Sequence, residues 1–233
     1  MKVAGLIGGV AWPSTLSYYR LLNEQVQREL GGLHSARCAI VSLDFADIHA
    51  AMAAGRPADA RAQMETAARQ VRAAGAGLVA ILANTGHFAA DEVQAAAGVP
   101  LVHVARETGA AVSALHPGMR RLGVLATGFA LDAPFFGRML GEEAGFELVL
   151  PDAAQRRTLD AAIFGPLARG EAGREEGALV SALCNALAAR GAEGIVLGCT
   201  ELSGTRPWLR CPVPVFDSTE IHARAIVREM TRA

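Results

Sequence analysis

The prediction of the fold starts from one stretch, Gly194-Ile195-Val196-Leu197-Gly198-Cys199-Thr200-Glu201. Its apolar half is short and uninterrupted, which is typical of a strand buried in a parallel sheet. Cys199 follows where this strand ends, and open α/β sheets bind ligands at the carboxyl ends of their strands. Two interpretations of Cys199 are open: a small buried hydrophobe, or a nucleophile or base at a ligand site.

Similar apolar strands recur along the whole chain, and helical segments separate them. We predict four strands in the first half, at residues 3–7, 38–43, 78–82 and 99–104. Four more are predicted in the second half, at residues 122–125, 146–150, 194–197 and 213–216. Strands that alternate with helices are typical of parallel βαβ units, so the predicted class is α/β.

Three segments of the first half recur in the second half in the same order. Two of the matches are Gly5 with Gly123 and Val79 with Ile195, at offsets of 118 and 116 residues. The third is the segment 99–103 with the segment 213–217, at an offset of 114. This nearly constant offset indicates an internal duplication.

The duplication predicts two pseudosymmetric domains, each a mostly parallel four-stranded sheet flanked by helices, with the active site in the interdomain cleft. The first half is expected at residues 1–105, with about 217–233 packing back onto it. The second half is expected at residues 106–216.

Composition argues against several classes of partner. The 233 residues carry a net charge of −1 and no basic run, so we expect no nucleic-acid partner. No apolar stretch approaches the roughly 20 residues that span a bilayer, so we expect no membrane segment. The four cysteines form no CxxC pair, which indicates a reducing cytoplasm and no metal site.

The duplication also gives Cys199 a counterpart. The offset of 116 places Ala83 at the equivalent position, so the loops 83–85 and 199–201 are expected to line the cleft from opposite sides. A cofactor-independent racemase requires two acid/base groups on opposite faces of one carbon, because one removes the α-proton and the other delivers a proton. Cysteine suits this role where backbone N–H groups at a helix start stabilise its thiolate. Alanine cannot transfer a proton.

A set of motifs spread over essentially the whole chain points to one family. The motifs are Gly5-Leu6-Ile7-Gly8-Gly9, Trp12, Ser14-Thr15, Tyr18-Tyr19, Asn23, Gly31-Gly32-Leu33-His34-Ser35-Ala36, Asp44-Phe45, Asn84-Thr85-Gly86-His87, Gly198-Cys199-Thr200-Glu201 and Val215-Phe216-Asp217. With these motifs the chain resembles the aspartate/glutamate racemase family, in particular its aspartate racemase and broad amino-acid racemase branch.

The resemblance implies a pyridoxal-independent isomerase that needs no cofactor and forms a homodimer. It implies that Cys199 is the second catalytic cysteine. Ala83 occupies the position of the first, where some relatives have threonine. Arg169 lies where the family has a lysine that binds a substrate carboxylate, and Thr127 matches a family threonine at the site.

Further polar residues have two interpretations each. Asn84, Thr85 and Thr200 are either substrate contacts or polar turns after strands, and the duplication favours substrate contact. Ser14 or Thr15 is predicted to cap a helix whose start can bind a carboxylate. His87 is either a proton donor that replaces the missing thiol or a histidine bonded to the backbone at a helix start.

Three functions are consistent with these residues. The first is an amino-acid racemase-family isomerase that acts through Cys199 on aspartate, glutamate or a similar small dicarboxylate, an activity that Ala83 is expected to impair. The second is a one-cysteine decarboxylase or isomerase of a malonate-like acid, because protonating one face of a carbanion needs one donor. The third is a non-catalytic protein that binds a dicarboxylate. Glu201 is either a helix cap or a residue at the rim of the site.

Overall fold

The computed structural model describes residues Met1–Arg232, which form two compact units. The first unit contains Met1–His103 and the segment from His222 onward, and the second contains Val104–Ile221. Each unit has one four-stranded sheet in which all strand pairs are parallel. The predicted α/β class, with two four-stranded parallel sheets flanked by helices, is confirmed.

The eight strands follow one another in chain order, four in each unit. They are β1 (Ala4–Gly8), β2 (Cys38–Ser42), β3 (Leu78–Ile81), β4 (Leu101–Val102), β5 (Arg121–Leu125), β6 (Glu147–Val149), β7 (Gly194–Leu197) and β8 (Val215–Asp217). The spatial order is β2-β1-β3-β4 in the first sheet and β6-β5-β7-β8 in the second, which is the same topology.

The register of strand pairing repeats along with the topology. Gly5 pairs with Val79 in the first sheet, and Gly123 pairs with Ile195 in the second. The partners on β4 and β8 also match, since Val79 pairs with Leu101 and Ile195 pairs with Val215. These partners are related by the same offsets of 118, 116 and 114 residues that the sequence matches have.

Helices connect the strands. They are α1 (Trp12–Leu30), α2 (Phe45–Ala53), α3 (Pro57–Ala73), α4 (Ala90–Ala97), α5 (Val104–Leu115), α6 (Gly128–Asp132), α7 (Pro134–Phe136), α8 (Ala153–Phe164), α9 (Arg174–Ala189), α10 (Thr200–Ser203) and α11 (Ser218–Thr231). Short 3-10 turns span Thr85–Ala89, Leu167–Arg169 and Arg206–Trp208, and a π-helical segment spans Gly137–Glu143.

Burial of the central strands explains their sequence pattern. Every residue of β1, β3 and β7 is buried, because helices cover both faces of a parallel sheet. These strands therefore read as continuous apolar runs rather than as alternating ones. Their carboxyl ends are held rigidly by the core, which positions the loops that follow.

Helix α1 differs from its predicted form. The helix begins at Trp12, before the predicted cap at Ser14 or Thr15, because Pro13 provides a favourable first turn, and no side chain caps its start. Ser14 is therefore a buried residue within the helix. The outer face of α1 carries three exposed apolar side chains at helical spacing, Trp12, Leu16 and Tyr19, which we call the exposed α1 stripe.

Across Met1–Arg232, none of the helices combines the length and the apolar character that crossing a membrane would require.

Candidate active site

The end of β7 presents Cys199. The amide of Gly198 donates to the carbonyl of Leu125 on β5 at 2.7 Å, which extends the sheet pairing by one residue. A Cβ atom at position 198 would lie 3.0 Å from the ring of Phe136 and 3.1 Å from the Cβ of Ala126, so only glycine packs here without displacement. Cys199 then takes an extended conformation and forms the N-cap of α10.

The thiol of Cys199 has an acidic neighbour. Its Sγ donates to Oε2 of Glu201 at 2.9 Å. Burial raises the pKa of the thiol well above its ordinary value, and the negative charge of Glu201 and this hydrogen bond raise it further. The backbone amide of Glu201 lowers the pKa, and the charge of Asp160 raises it. Cys199 is consequently a protonated thiol at neutral pH.

A cysteine suits proton removal where backbone N–H groups at a helix start stabilise its thiolate, and this condition is not met at Cys199. Helix α10 is only four residues long, and one backbone amide does not offset desolvation together with two carboxylates. Cys199 in its resting state is therefore suited to donating a proton rather than to removing one.

Asp160 connects Cys199 with Thr127. Its Oδ1 accepts a hydrogen bond of 2.9 Å from the amide of Gly128, at the start of α6. The hydroxyl of Thr127 caps the same helix by accepting from the amide of Ala130 at 3.2 Å. Asp160 thus bonds to the loop after β5, and its negative charge also acts on Cys199 after β7. Nothing in the sequence singled out Asp160, because it lies within α8 and belongs to no motif.

Two further predicted residues of this unit have different surroundings. Thr200 is buried at the first position of α10, directly after Cys199. Arg169 ends the 3-10 turn Leu167–Arg169, which packs against α10. Its guanidinium is exposed and forms two hydrogen bonds to Glu171, at 3.0 and 2.7 Å. The structure therefore brings the Arg169 turn near α10 but gives its side chain a surface ion pair.

The first unit places the other predicted residues at the carboxyl ends of β1 and β3. The amide of Leu82 donates to the carbonyl of Ile7 at 2.8 Å, which aligns the ends of the two strands. Ala83 and Asn84 are buried, and Thr85 begins the 3-10 turn Thr85–Ala89.

The loop between β1 and α1 is fixed by a hydrogen bond and contains a strained residue. The amide of Gly9 donates to the hydroxyl of Thr15 at 2.9 Å. Ala11 has a φ of 72°, a left-handed conformation that no other non-glycine residue within Met1–Arg232 adopts. Such strain is stored where the surrounding structure requires it, often at ligand sites. Ser14 follows this loop in the first turn of α1, which begins at the carboxyl end of β1.

A group of buried aromatic and imidazole rings lies beneath this edge. The ring of His87 packs against His103 and His222, with centroid distances of 4.5 and 5.9 Å. The hydroxyl of Tyr18 lies 2.8 Å from Nδ1 of His222. We call these four residues the histidine cluster. The sequence indicated His87 as a candidate but not the cluster, because Tyr18 and His222 lie 204 residues apart and share no motif.

Metal chemistry has no evident site in the part of the chain that the structure describes. In this part, no group of three or more His, Cys, Asp or Glu side chains is arranged to hold a metal ion. The arrangement instead defines a class of protein: a duplicated α/β fold with a protonated cysteine and threonine hydroxyls at strand ends.

Comparisons with known proteins agree with this class. The profile of the Asp/Glu/hydantoin racemase family matches residues 7–226. A candidate Asp/Glu racemase from Yersinia pestis is 34% identical over 100% of both chains, with a TM-score of 0.89. An aspartate racemase homologue from Pyrococcus horikoshii is 31% identical over 100% of both chains, with a TM-score of 0.82.

A more distant structure shares the fold. The aspartate racemase of Picrophilus torridus is 15% identical, with a TM-score of 0.77, over 100% of this chain and 96% of its own. The profile match over nearly the whole chain and the two relatives above 30% identity establish the family. The chain belongs to the Asp/Glu/hydantoin racemase family, and this membership supports an isomerase.

Proposed function

We propose that this protein is a cofactor-independent isomerase that acts on aspartate, glutamate or a similar small dicarboxylate, with Cys199 as the acid/base group at the α-carbon. The observation that supports it is the hydrogen bond of 2.9 Å from the thiol of Cys199 to Glu201 at the end of a buried strand. A buried thiol with an acidic partner at the carboxyl end of a strand is suited to moving a proton rather than to packing.

The chemistry at Cys199 has a preferred direction. When the thiol gives its proton to a carbanion at the α-carbon, a thiolate remains beside the carboxylate of Glu201. Repulsion between these two negative charges favours return of a proton to the sulfur. The backbone amide of Glu201 stabilises the thiolate during its lifetime. Cys199 therefore starts in the protonation state that donation requires, whereas removal of an α-proton requires the thiol first to lose its own proton.

The polar residues at the other strand ends would hold the substrate. In this proposal the substrate-binding residues are Ser14, Asn84 and Thr85 in the first unit, and Thr127 and Thr200 in the second. Their hydroxyl and amide groups both donate and accept hydrogen bonds, as a zwitterionic ligand requires.

Arg169 is a weaker member of this proposed set. Its guanidinium would first have to leave Glu171, with which it forms the surface ion pair. Exposed pairs of this kind are weak enough to exchange for a substrate carboxylate.

A second function is favoured by the alanine at position 83. The side chain of Ala83 is a methyl group that cannot exchange a proton, whereas Cys199 at the equivalent strand end is a protonated thiol. One donor is enough for a decarboxylase of a substituted malonate, because the carbanion left by the departing carbon dioxide needs a proton on one face only. In this alternative Cys199 delivers that proton.

Isotope exchange tests the first proposal. The protein is incubated in deuterated water with each enantiomer of aspartate and glutamate, and loss of the α-proton signal is followed by NMR. We expect exchange from at least one enantiomer and none in Cys199→Ser. Cys211→Ser, which changes a partly buried cysteine of the same unit, should keep the wild-type rate. Absence of exchange with all four amino acids would refute the racemase proposal.

Two further measurements separate the alternatives. Carbon dioxide release from phenylmalonate without α-proton exchange from the amino acids would support the decarboxylase. Stabilisation by dicarboxylates in a thermal-shift screen, with no turnover of any ligand, would instead indicate a binding protein and refute both enzymatic proposals. Under the racemase proposal, Ala83→Cys should raise the rate of racemisation by supplying the second thiol.

A further inference from the structure

His87 is bonded to the loop that carries Asn84. Its ring nitrogen Nδ1 lies 2.9 Å from the carbonyl oxygen of Ala83, and its backbone amide donates to the carbonyl of Asn84 at 3.0 Å. The side chain is buried, and the loop therefore closes around the ring. This ring contacts the backbone at the position where the first unit has a methyl group in place of a thiol.

The hydrogen-bond partners fix the tautomer of two rings. A carbonyl oxygen can only accept, so Nε2 of His222, at 2.8 Å from the carbonyl of Val102, carries its proton. Nδ1 of His222 is then the acceptor for the hydroxyl of Tyr18. The same reasoning places the proton of His87 on Nδ1, because its partner is the carbonyl of Ala83.

Both rings are neutral at physiological pH. Burial lowers the pKa of His87 to about 4, and burial together with the nearby His87 lowers the pKa of His222 to about 3. The single proton of His87 is already donated to Ala83, so the ring does not replace the missing thiol as a proton donor. The interpretation of His87 as a backbone-bonded histidine is the one that the geometry supports.

We propose that His87 is the positioning residue of the 83–85 loop, and that the rest of the histidine cluster fixes the orientation of its ring. The C=O and N–H groups of a trans peptide bond point in opposite directions, so the bond to the carbonyl of Ala83 also sets the direction of the Asn84 amide. The proposal rests on the proposed function in one respect, since it assigns substrate contact to Asn84.

Variants at position 87 separate positioning from proton transfer. The amide nitrogen of asparagine can occupy the place of Nδ1, whereas that of glutamine reaches the place of Nε2. We expect His87→Gln and His87→Ala to raise KM in α-proton exchange of aspartate or glutamate by about tenfold, with kcat within about threefold of wild type. His87→Asn should restore KM to within about threefold of wild type.

Other results with these variants would overturn the proposal. If His87→Asn is no better than His87→Ala, the Nδ1 donor does not matter. A loss of kcat at unchanged KM would mean that the ring handles a proton instead. The matched control is His49→Gln, which changes an exposed histidine of the same unit and should leave both constants unchanged.

A measurement on the wild-type protein needs neither a substrate nor a stable variant. Long-range proton–nitrogen NMR correlations distinguish the two neutral tautomers of each histidine. We expect the Nδ1–H form for His87 and the Nε2–H form for His222 at pH 7, together with slow hydrogen exchange at the Asn84 amide. The opposite tautomer of His87 would refute the positioning role whatever the activity proves to be. With the expected tautomers, failure of every exchange assay would refute the proposed function alone.

Discussion

The histidine cluster should make the stability of the protein depend on pH over a defined window. His87 and His222 are neutral in the folded chain, with pKa values of about 4 and about 3, and an unfolded chain returns both to 6.5. Between these values the unfolded chain binds more protons than the folded one. The free energy of unfolding therefore rises with pH through this window. The contribution of the two rings to stability is lost as the pH falls from 6.5 towards 4.

The magnitude follows from the linkage relation. At pH 5 each imidazole of the unfolded chain is one and a half pH units below 6.5, which is worth about 2 kcal/mol per group. Neither ring is protonated in the folded protein at this pH, so the two contributions add to about 4 kcal/mol. A typical domain has only about 5–15 kcal/mol of stability, so the loss is a large fraction of the total.

Urea unfolding at pH 8, 7, 6 and 5 measures this loss. The wild type should lose about 4 kcal/mol between pH 8 and pH 5, and the double variant His87→Asn/His222→Gln should lose far less because it lacks both titrating rings. His49→Gln is the control and should keep the full dependence. Asp217, whose pKa burial raises, opposes the loss slightly in all three proteins.

Two outcomes would refute this reasoning. One is a wild-type stability that changes by less than about 1 kcal/mol between pH 8 and pH 5, which would mean that the rings are protonated in the folded state. The other is an equal loss in the double variant, which would mean that other groups carry the pH dependence.

Three further predictions concern other parts of the structure. Burial is the largest cause of the raised pKa of Cys199, and Glu201→Gln removes the next, the negative charge beside the thiol. Alkylation of Cys199 by iodoacetamide at pH 8, read by peptide mass spectrometry, should then be about tenfold faster. An unchanged rate would contradict the pairing. The homodimer stays a prediction. We expect Leu16→Glu in the exposed α1 stripe (59% exposed) to weaken dimer formation, measured by analytical ultracentrifugation. The control Leu115→Glu (68% exposed) should leave it unchanged. Gly9→Ala should destabilise the protein by at least about 3 kcal/mol in urea, because φ is 82° and the added Cβ overlaps the backbone after β2.

Much of the fold could be predicted because its signals are local or periodic. All eight strands lie where apolar runs indicated them, since β1, β3 and β7 are buried on both faces and leave continuous apolar segments. The duplication was visible because matched glycines and Val-Pro pairs sit at equivalent points of the two sheets. The repeated register is the physical counterpart of the constant offset.

The electrostatics of the site could not be predicted in the same way. The pKa of Cys199 depends on Asp160, which is 39 residues away in sequence and lies in no motif. The histidine cluster likewise joins α1 with the start of α11, and only the packing of the first unit brings those rings together. Sequence patterns identify which residues carry chemistry, whereas charge and burial depend on contacts between distant segments.

The two strand ends therefore have equivalent strand pairing but different chemistry. At the end of β7 a buried thiol donates to the carboxylate of Glu201, and at the end of β3 Ala83 has only a methyl group and its carbonyl bonds to a neutral ring. Neither arrangement favours proton removal at neutral pH, because Cys199 is protonated and burial lowers the pKa of His87 to about 4, which makes its ring a weak base.

These observations favour reactions in which a carbanion receives a proton from one side. A racemase with this pair of strand ends must first remove an α-proton, and the surroundings of Cys199 oppose the thiolate that this step needs. A substrate that loses carbon dioxide reaches the carbanion without that step, and Cys199 then meets it in the correct protonation state. The choice between the two proposals thus depends on how the carbanion forms, since the structure supplies its proton in either case.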